Sequence, residues 1–88
     1  MNITRSDIIG FTDLTPEEVD AIAEHEHIAE VAAAALGNYL LGKTGGVAAI
    51  RTMIVDDIKA ALARGDDKHA ADLFMALRHL HEAHDPVP

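Results

Sequence analysis

Thr15-Pro16-Glu17-Glu18-Val19-Asp20-Ala21-Ile22-Ala23-Glu24-His25-Glu26-His27-Ile28-Ala29-Glu30-Val31-Ala32-Ala33-Ala34-Ala35-Leu36 is the stretch that decides the fold. It opens with a helix start signal. Thr15 stands where an N-cap belongs, Pro16 suits the first helical position, and Glu18 closes a capping box three residues on. Leu14 and Val19 flank the box as a hydrophobic staple. The apolar residues that follow recur at helical spacing, with Val19, Ile22, Ala23, Ala29, Ala33 and Leu40 on one face. The pattern predicts one long first helix over about 16–41, with Gly37 as a soft point near its end.

Outward from that helix, Gly42-Lys43-Thr44-Gly45-Gly46 reads as a break. A second helix is expected from about Val47 to Arg64, with Val47, Ile50, Ile54, Ile58, Ala61 and Leu62 on one face. Gly65 fits a C′ glycine. Asp66 or Asp67 then caps a third helix to about His84, whose face is Ala70, Leu73, Phe74, Leu77 and Leu80. Short connections imply antiparallel neighbours. The expected fold is all-α: a small helical bundle, with long helix 1, a hairpin with helix 2, then helix 3. Residues 1–14 read as an N-terminal arm, 15–85 as the three-helix domain and 86–88 as a C-terminal tail.

Composition narrows the function classes. The 88 residues carry a formal charge of −8, no Cys, no Trp and 49% hydrophobic residues, of which aromatics are few. So negative a surface disfavours nucleic acid, whose binding depends on Lys and Arg displacing counterions, and disfavours anionic membranes. It suits metal cations or a basic protein partner. The absence of Cys removes disulfides, thiolate zinc ligands and thiol catalysis together. No basic n-region followed by an apolar run opens the chain, and the longest near-apolar run, Val31–Leu36, is too short to span a bilayer. The expected compartment is therefore the cytoplasm. The only serine, Ser6, lies in the arm, and no Ser–His–acid set is readable, so hydrolytic enzymology is not expected.

Gly37-Asn38-Tyr39-Leu40-Leu41-Gly42-Lys43-Thr44 matches the phosphate-binding pattern G-x-x-x-x-G-K-[ST]. That motif works only when a buried strand enters the loop and a helix leaves it. Here the entering residues are strong helix formers, and Tyr39, Leu40 and Leu41 are bulky where a loop must wrap phosphate. The segment is expected to be a helix C-terminus and a Gly-rich turn, with Lys43 complementing the helix dipole.

The densest polar chemistry is Glu24-His25-Glu26-His27-Ile28-Ala29-Glu30. On one continuous helix Glu26 falls near the centre of the apolar face, Glu30 near its edge and His27 further round, while Glu24 and His25 point away. A carboxylate among apolar residues is costly unless paired, protonated or metal-bound. In an antiparallel hairpin Glu30 and Asp57 fall at similar heights, about 15–17 Å from the turn at 1.5 Å per residue. Glu26, His27, Glu30 and Asp57 are thus candidate metal ligands, with iron, manganese or zinc as the metal. The spacing Glu24-x-x-His27 resembles the ligand pairs of di-iron carboxylate bundles; completing such a site implies ligands from a symmetric partner chain. The competing assignment is ordinary salt bridging of Glu26 and Glu30 to Arg51, Lys59 or Arg64. In the third helix, His81 and His84 form a His-x-x-His pair that is either a separate metal site or a favourable complement to the helix dipole.

Ile28, Val31, Ala35 and Tyr39 lie largely opposite the first apolar face. A helix that is apolar all round is buried on both sides, and three short helices cover one side more readily than two. The chain is therefore expected to be a homodimer. The expected function is a non-enzymatic interaction or regulatory module, with the metal-binding bundle as the alternative.

Overall fold

Thr15 starts the first helix as its capping pattern predicts. In a computed structural model of the chain, which describes residues 13–84, α1 spans Pro16–Glu26, α2 Glu30–Leu41, α3 Gly46–Ala63 and α4 Asp67–His84. The Thr15 backbone N–H donates to Glu18 Oε1 at 2.8 Å, and the Glu18 N–H donates to Thr15 Oγ1 at 3.2 Å. The described residues form an all-α globule of four helices and contain no strand. The bulk of the expected arm and the tail beyond His84 lie outside the described residues. None of the helices among these residues is long and apolar enough to cross a membrane.

The expected long first helix is corrected: it is two helices. His27 adopts φ 56°, ψ 46°, the left-handed region, and the Ile28 N–H reaches back to the Ala23 carbonyl at 3.1 Å. That six-to-one bond is the Schellman way of ending a helix. A non-glycine residue in this region costs about 1–2 kcal/mol. The cost is offset because the break folds α1 back over the bundle, burying Val19, Ala21 and Ile22. At roughly 1.5–3 kcal/mol for each large aliphatic side chain removed from water, burial outweighs the strain.

The core is a single cluster drawn from all four helices, including Ile22 from α1, Ala33 from α2, Ile50 and Ile54 from α3, and Leu73 and Leu80 from α4. Leu62 and Phe74, expected on inward faces, are exposed at 56% and 59%, and Ala29 is exposed too; Asp57 and Ala76 are buried on the same helices as the first two. Close approach is set by small residues. Gly37 lies inside α2, where an added Cβ would overlap the side chain of Leu14. Gly65, at φ 77°, ends α3, and Asp66 then caps α4 by accepting the His69 N–H at 3.2 Å.

The capping box gives the first prediction. Thr15→Ala removes the side-chain acceptor for the Glu18 N–H, so a loss of about 1 kcal/mol is expected. In a domain of this size that corresponds to a fall of roughly 4–8 °C in Tm, read by thermal unfolding followed by circular dichroism.

Candidate functional site

The phosphate-loop pattern does not find its context. The segment entering it is helix α2, and the N–H groups of Gly42, Lys43 and Gly46 already bond to the carbonyls of Asn38, Leu40 and Lys43. These donors close the turn instead of facing a ligand. The Lys43 ammonium sits 5.3 Å from the centroid of the Tyr39 ring.

The carboxylate–histidine chemistry is present, but on a different set of residues. Because α1 ends at Glu26, the phase of a continuous helix does not carry past His27. Glu26, expected near the centre of the apolar face, is exposed as the last residue of α1, and His27 is exposed as its cap. Glu30 becomes the first residue of α2. Asp57 lies in the second half of α3, where α1 packs, so its electrostatic neighbours are Glu24 and His25 of α1, Asp56 beside it and His69 of α4. Among the described residues no group of three or more His, Asp or Glu side chains is arranged to hold a metal ion. Within the single chain, Glu26, His27, Glu30 and Asp57 do not form such a group. His84 Nε2 is buried without a partner among the described residues, and His81 joins it in no metal-holding group there.

The residues that do meet link three helices. His69 Nε2 lies 2.5 Å from Glu24 Oε1, joining α4 to α1. His25 Nδ1 lies 2.9 Å from Glu26 Oε2, and its Nε2 lies 3.3 Å from Asp56 Oδ2, joining α1 to α3. Glu24 and His25 therefore do not point away, as the continuous helix implied. The expected cross-helix pairing of Arg64 with Glu26 or Glu30 is replaced by a local one, 3.8 Å from Asp66.

Asp57 is the anomaly of the cluster. It is only 7% exposed, and its Oδ2 is buried with no hydrogen-bond partner among the described residues. Burial pushes its carboxyl up from 3.8 to about 6; the charges of Glu24 and Asp56 push the same way, and those of His25 and His69 oppose. His25 is raised above 6.5, chiefly by its hydrogen bond to Glu26, with burial opposing and Asp56 assisting.

Beside this cluster runs a groove of about 460 Å³ between α1 and α4. Glu17, Asp20, Ala21 and Glu24 line it from α1, and His69, Asp72, Leu73 and Met75 from α4. The α1 residues are spaced i, i+3, i+4, i+7, which is one helix face. That spacing is legible in the sequence; which helix faces it is not. Comparison with known protein families, curated proteins and solved structures finds no match for the chain.

Proposed function

We propose that the protein is an interaction module that self-associates through the outer face of α2. The observation that carries this reading is the exposure of Val31 at 50% and Tyr39 at 61%, with Ala32 and Ala35 exposed between them. The inner side of the same helix is covered by the chain's own core, through Ala33, Ala34 and Gly37. Val31, Ala35 and Tyr39 follow i, i+4, i+8 and so form one stripe. The alanines let a second helix approach closely, and the large ends, Val31 and Tyr39, supply area. Tyr39 is also a residue type enriched at interface hot spots.

A contiguous apolar stripe on a chain of charge −8 serves association better than solubility. Repulsion between two acidic copies makes the association depend on salt: screening over about 8–10 Å at physiological ionic strength favours it. Sedimentation equilibrium is expected to give twice the chain mass of 9.4 kDa at micromolar concentration. Val31→Glu, which places a charge in the stripe, is expected to return the protein to monomer with its helix content intact. A wild-type monomer of 9.4 kDa under those conditions would sink the proposal.

A further inference from the structure

We propose that two copies of the chain lie antiparallel along α2, with the twofold axis at Ala35. Tyr39 of each copy then packs on Val31 of the other, and Lys43 of each faces the acidic end of the other. That order rests on the reading of the outer face of α2 as the self-association surface, and adds the direction in which the copies meet.

The first observation is the order of charge along the chain. All 15 acidic residues lie outside 31–55, and Lys43 and Arg51 are the only charged residues inside that span. Helix α2 therefore runs from an acidic end to a basic one. Residues 24–30 carry Glu24, Glu26 and Glu30 with no Lys or Arg. Glu24 and Glu26 also meet His69 and His25, but a hydrogen bond from a neutral imidazole leaves a carboxylate its charge. Lys43 follows the last turn of α2. It is exposed, and its ammonium lies 5.3 Å from the centroid of the Tyr39 ring, on the side of the apolar stripe. A parallel pair sets Lys43 against Lys43 and glutamates against glutamates. An antiparallel pair opposes unlike ends twice, and complementary charge of this kind fixes orientation at an interface. Direct contact is not required, since the field reaches about 8–10 Å at moderate ionic strength.

The second observation is the order of size. Ala35 is the midpoint of the stripe, with Val31 and Tyr39 one turn to either side, both exposed. A twofold axis at Ala35 sets alanine against alanine where the two helices come closest. Packed helices cross at an angle and diverge from that point. The pairs of Val31 with Tyr39 then fill the widening gap equally at both ends, larger against smaller. A parallel pair sets Tyr39 on Tyr39 at one end and Val31 on Val31 at the other, which leaves the gap unevenly filled.

The chain has no Cys, so single introduced cysteines report on the pair without background. Ala32→Cys and Asn38→Cys, both at exposed positions of α2, stand equally far from Ala35 on opposite sides. Each full-length variant is checked for helix content, oxidised with glutathione disulfide alone and in an equimolar mixture, and the covalent dimers are identified by intact mass. The mixed dimer, joining position 32 to position 38, is expected in the mixture. Neither variant is expected to cross-link to itself, because two copies of position 32 are offset by about 9 Å along the helices, beyond the roughly 4.4–6.8 Å that a disulfide spans. Ala35→Cys is expected to cross-link to itself. Lys43→Glu is expected to raise the dimer Kd about tenfold at low salt and by less than about twofold near 1 M salt, where screening acts over about 3 Å. Lys68→Glu changes the net charge equally from a side chain on α4 that is almost wholly in solvent, and is expected to raise Kd by less than about threefold.

Self-cross-linking at 32 and at 38 in the separate samples, or equal weakening by Lys43→Glu and Lys68→Glu, would overturn the antiparallel order and leave the dimer standing. Sedimentation of the wild-type protein as a monomer removes the dimer and its order together. A dimer that cross-links at none of the three positions associates through another face, which also removes both.

Discussion

The protein is expected to be more stable at pH 5 than at pH 8, and Asp57→Asn is expected to abolish most of the difference. In the unfolded chain Asp57 ionises near 3.8, and in the folded chain near 6. Between those values the folded state binds the extra proton, so stability falls as pH rises through the window and Asp57 opposes folding most above it. At about 1.4 kcal/mol per tenfold, the displacement sets an upper bound of about 3 kcal/mol. His25 works in the same direction. Its raised value means that its charged form is favoured in the fold; that stabilisation is complete below 6.5 and is lost as pH rises through the folded value.

Asp57→Asn keeps the shape of the side chain and removes the charge. Stability at pH 8 is expected to rise by up to about 3 kcal/mol, the ionisation penalty that the displaced carboxyl sets, leaving the His25 slope. Urea unfolding at the two pH values, with protein concentration held constant, measures both effects. A wild-type protein that is equally or more stable at pH 8 would contradict the assignment of Asp57 as a buried, unpartnered carboxyl. The direction is informative because carboxylates that are paired in the native state produce the opposite slope.

Gly46→Ala is expected to cost about 3 kcal/mol or more, although alanine is the better helix former by about 1 kcal/mol. Gly46 is the first residue of α3, in a conformation open to any residue, so propensity alone predicts stabilisation. The neighbour decides the sign. An added Cβ would overlap the carbonyl of Leu40, a backbone group held in α2. No side-chain rotation relieves that overlap, so α2 and α3 must separate at the turn and loosen the core where Ile50 packs. Gly42→Ala is the control. Its nearest neighbours to an added Cβ are the carbonyls of Asn38 and Tyr39 at 3.8 Å, ordinary contact, and its φ is −84°. Gly42→Ala is expected to be neutral or to gain up to about 1 kcal/mol by restricting the unfolded chain. Chemical denaturation of the two variants should therefore move in opposite directions. Equal effects would mean that the turn yields and that the α2–α3 approach is not tight.

These two positions also show where a sequence reading stops. Nothing local distinguishes Gly42 from Gly46, since both sit in the same Gly-rich break. Their difference lies in what stands opposite them. The same holds at His27. Helix formers flank it on both sides, so periodicity runs straight through, and the left-handed turn is chosen only because folding α1 back buries Val19 and Ile22. The break leaves residues 24–26 in phase with Val19 and Ile22 but changes what stands opposite them. Glu26 is exposed as the last residue of α1 and His27 as its cap, while the fold-back of α1 brings Glu24 to α4 and His25 to α3.

The sequence by itself determined the all-α class, the capped start at Thr15, the stop at Gly65 and an aspartate cap at Asp66 or Asp67. Each of these depends on residues within one turn of one another, where backbone hydrogen bonds and φ preferences decide. It also placed an outward apolar stripe on the segment that became α2, because a period of 3.6 is a property of the chain. Only the tertiary structure decided that His69 meets Glu24, that Asp57 is buried without a partner, and that an acidic groove opens between α1 and α4. The side-chain contacts of this cluster, His25 with Asp56 and His69 with Glu24, join residues 31 and 45 positions apart, and all these outcomes follow from which helices share a core, a choice governed by apolar area from the whole chain.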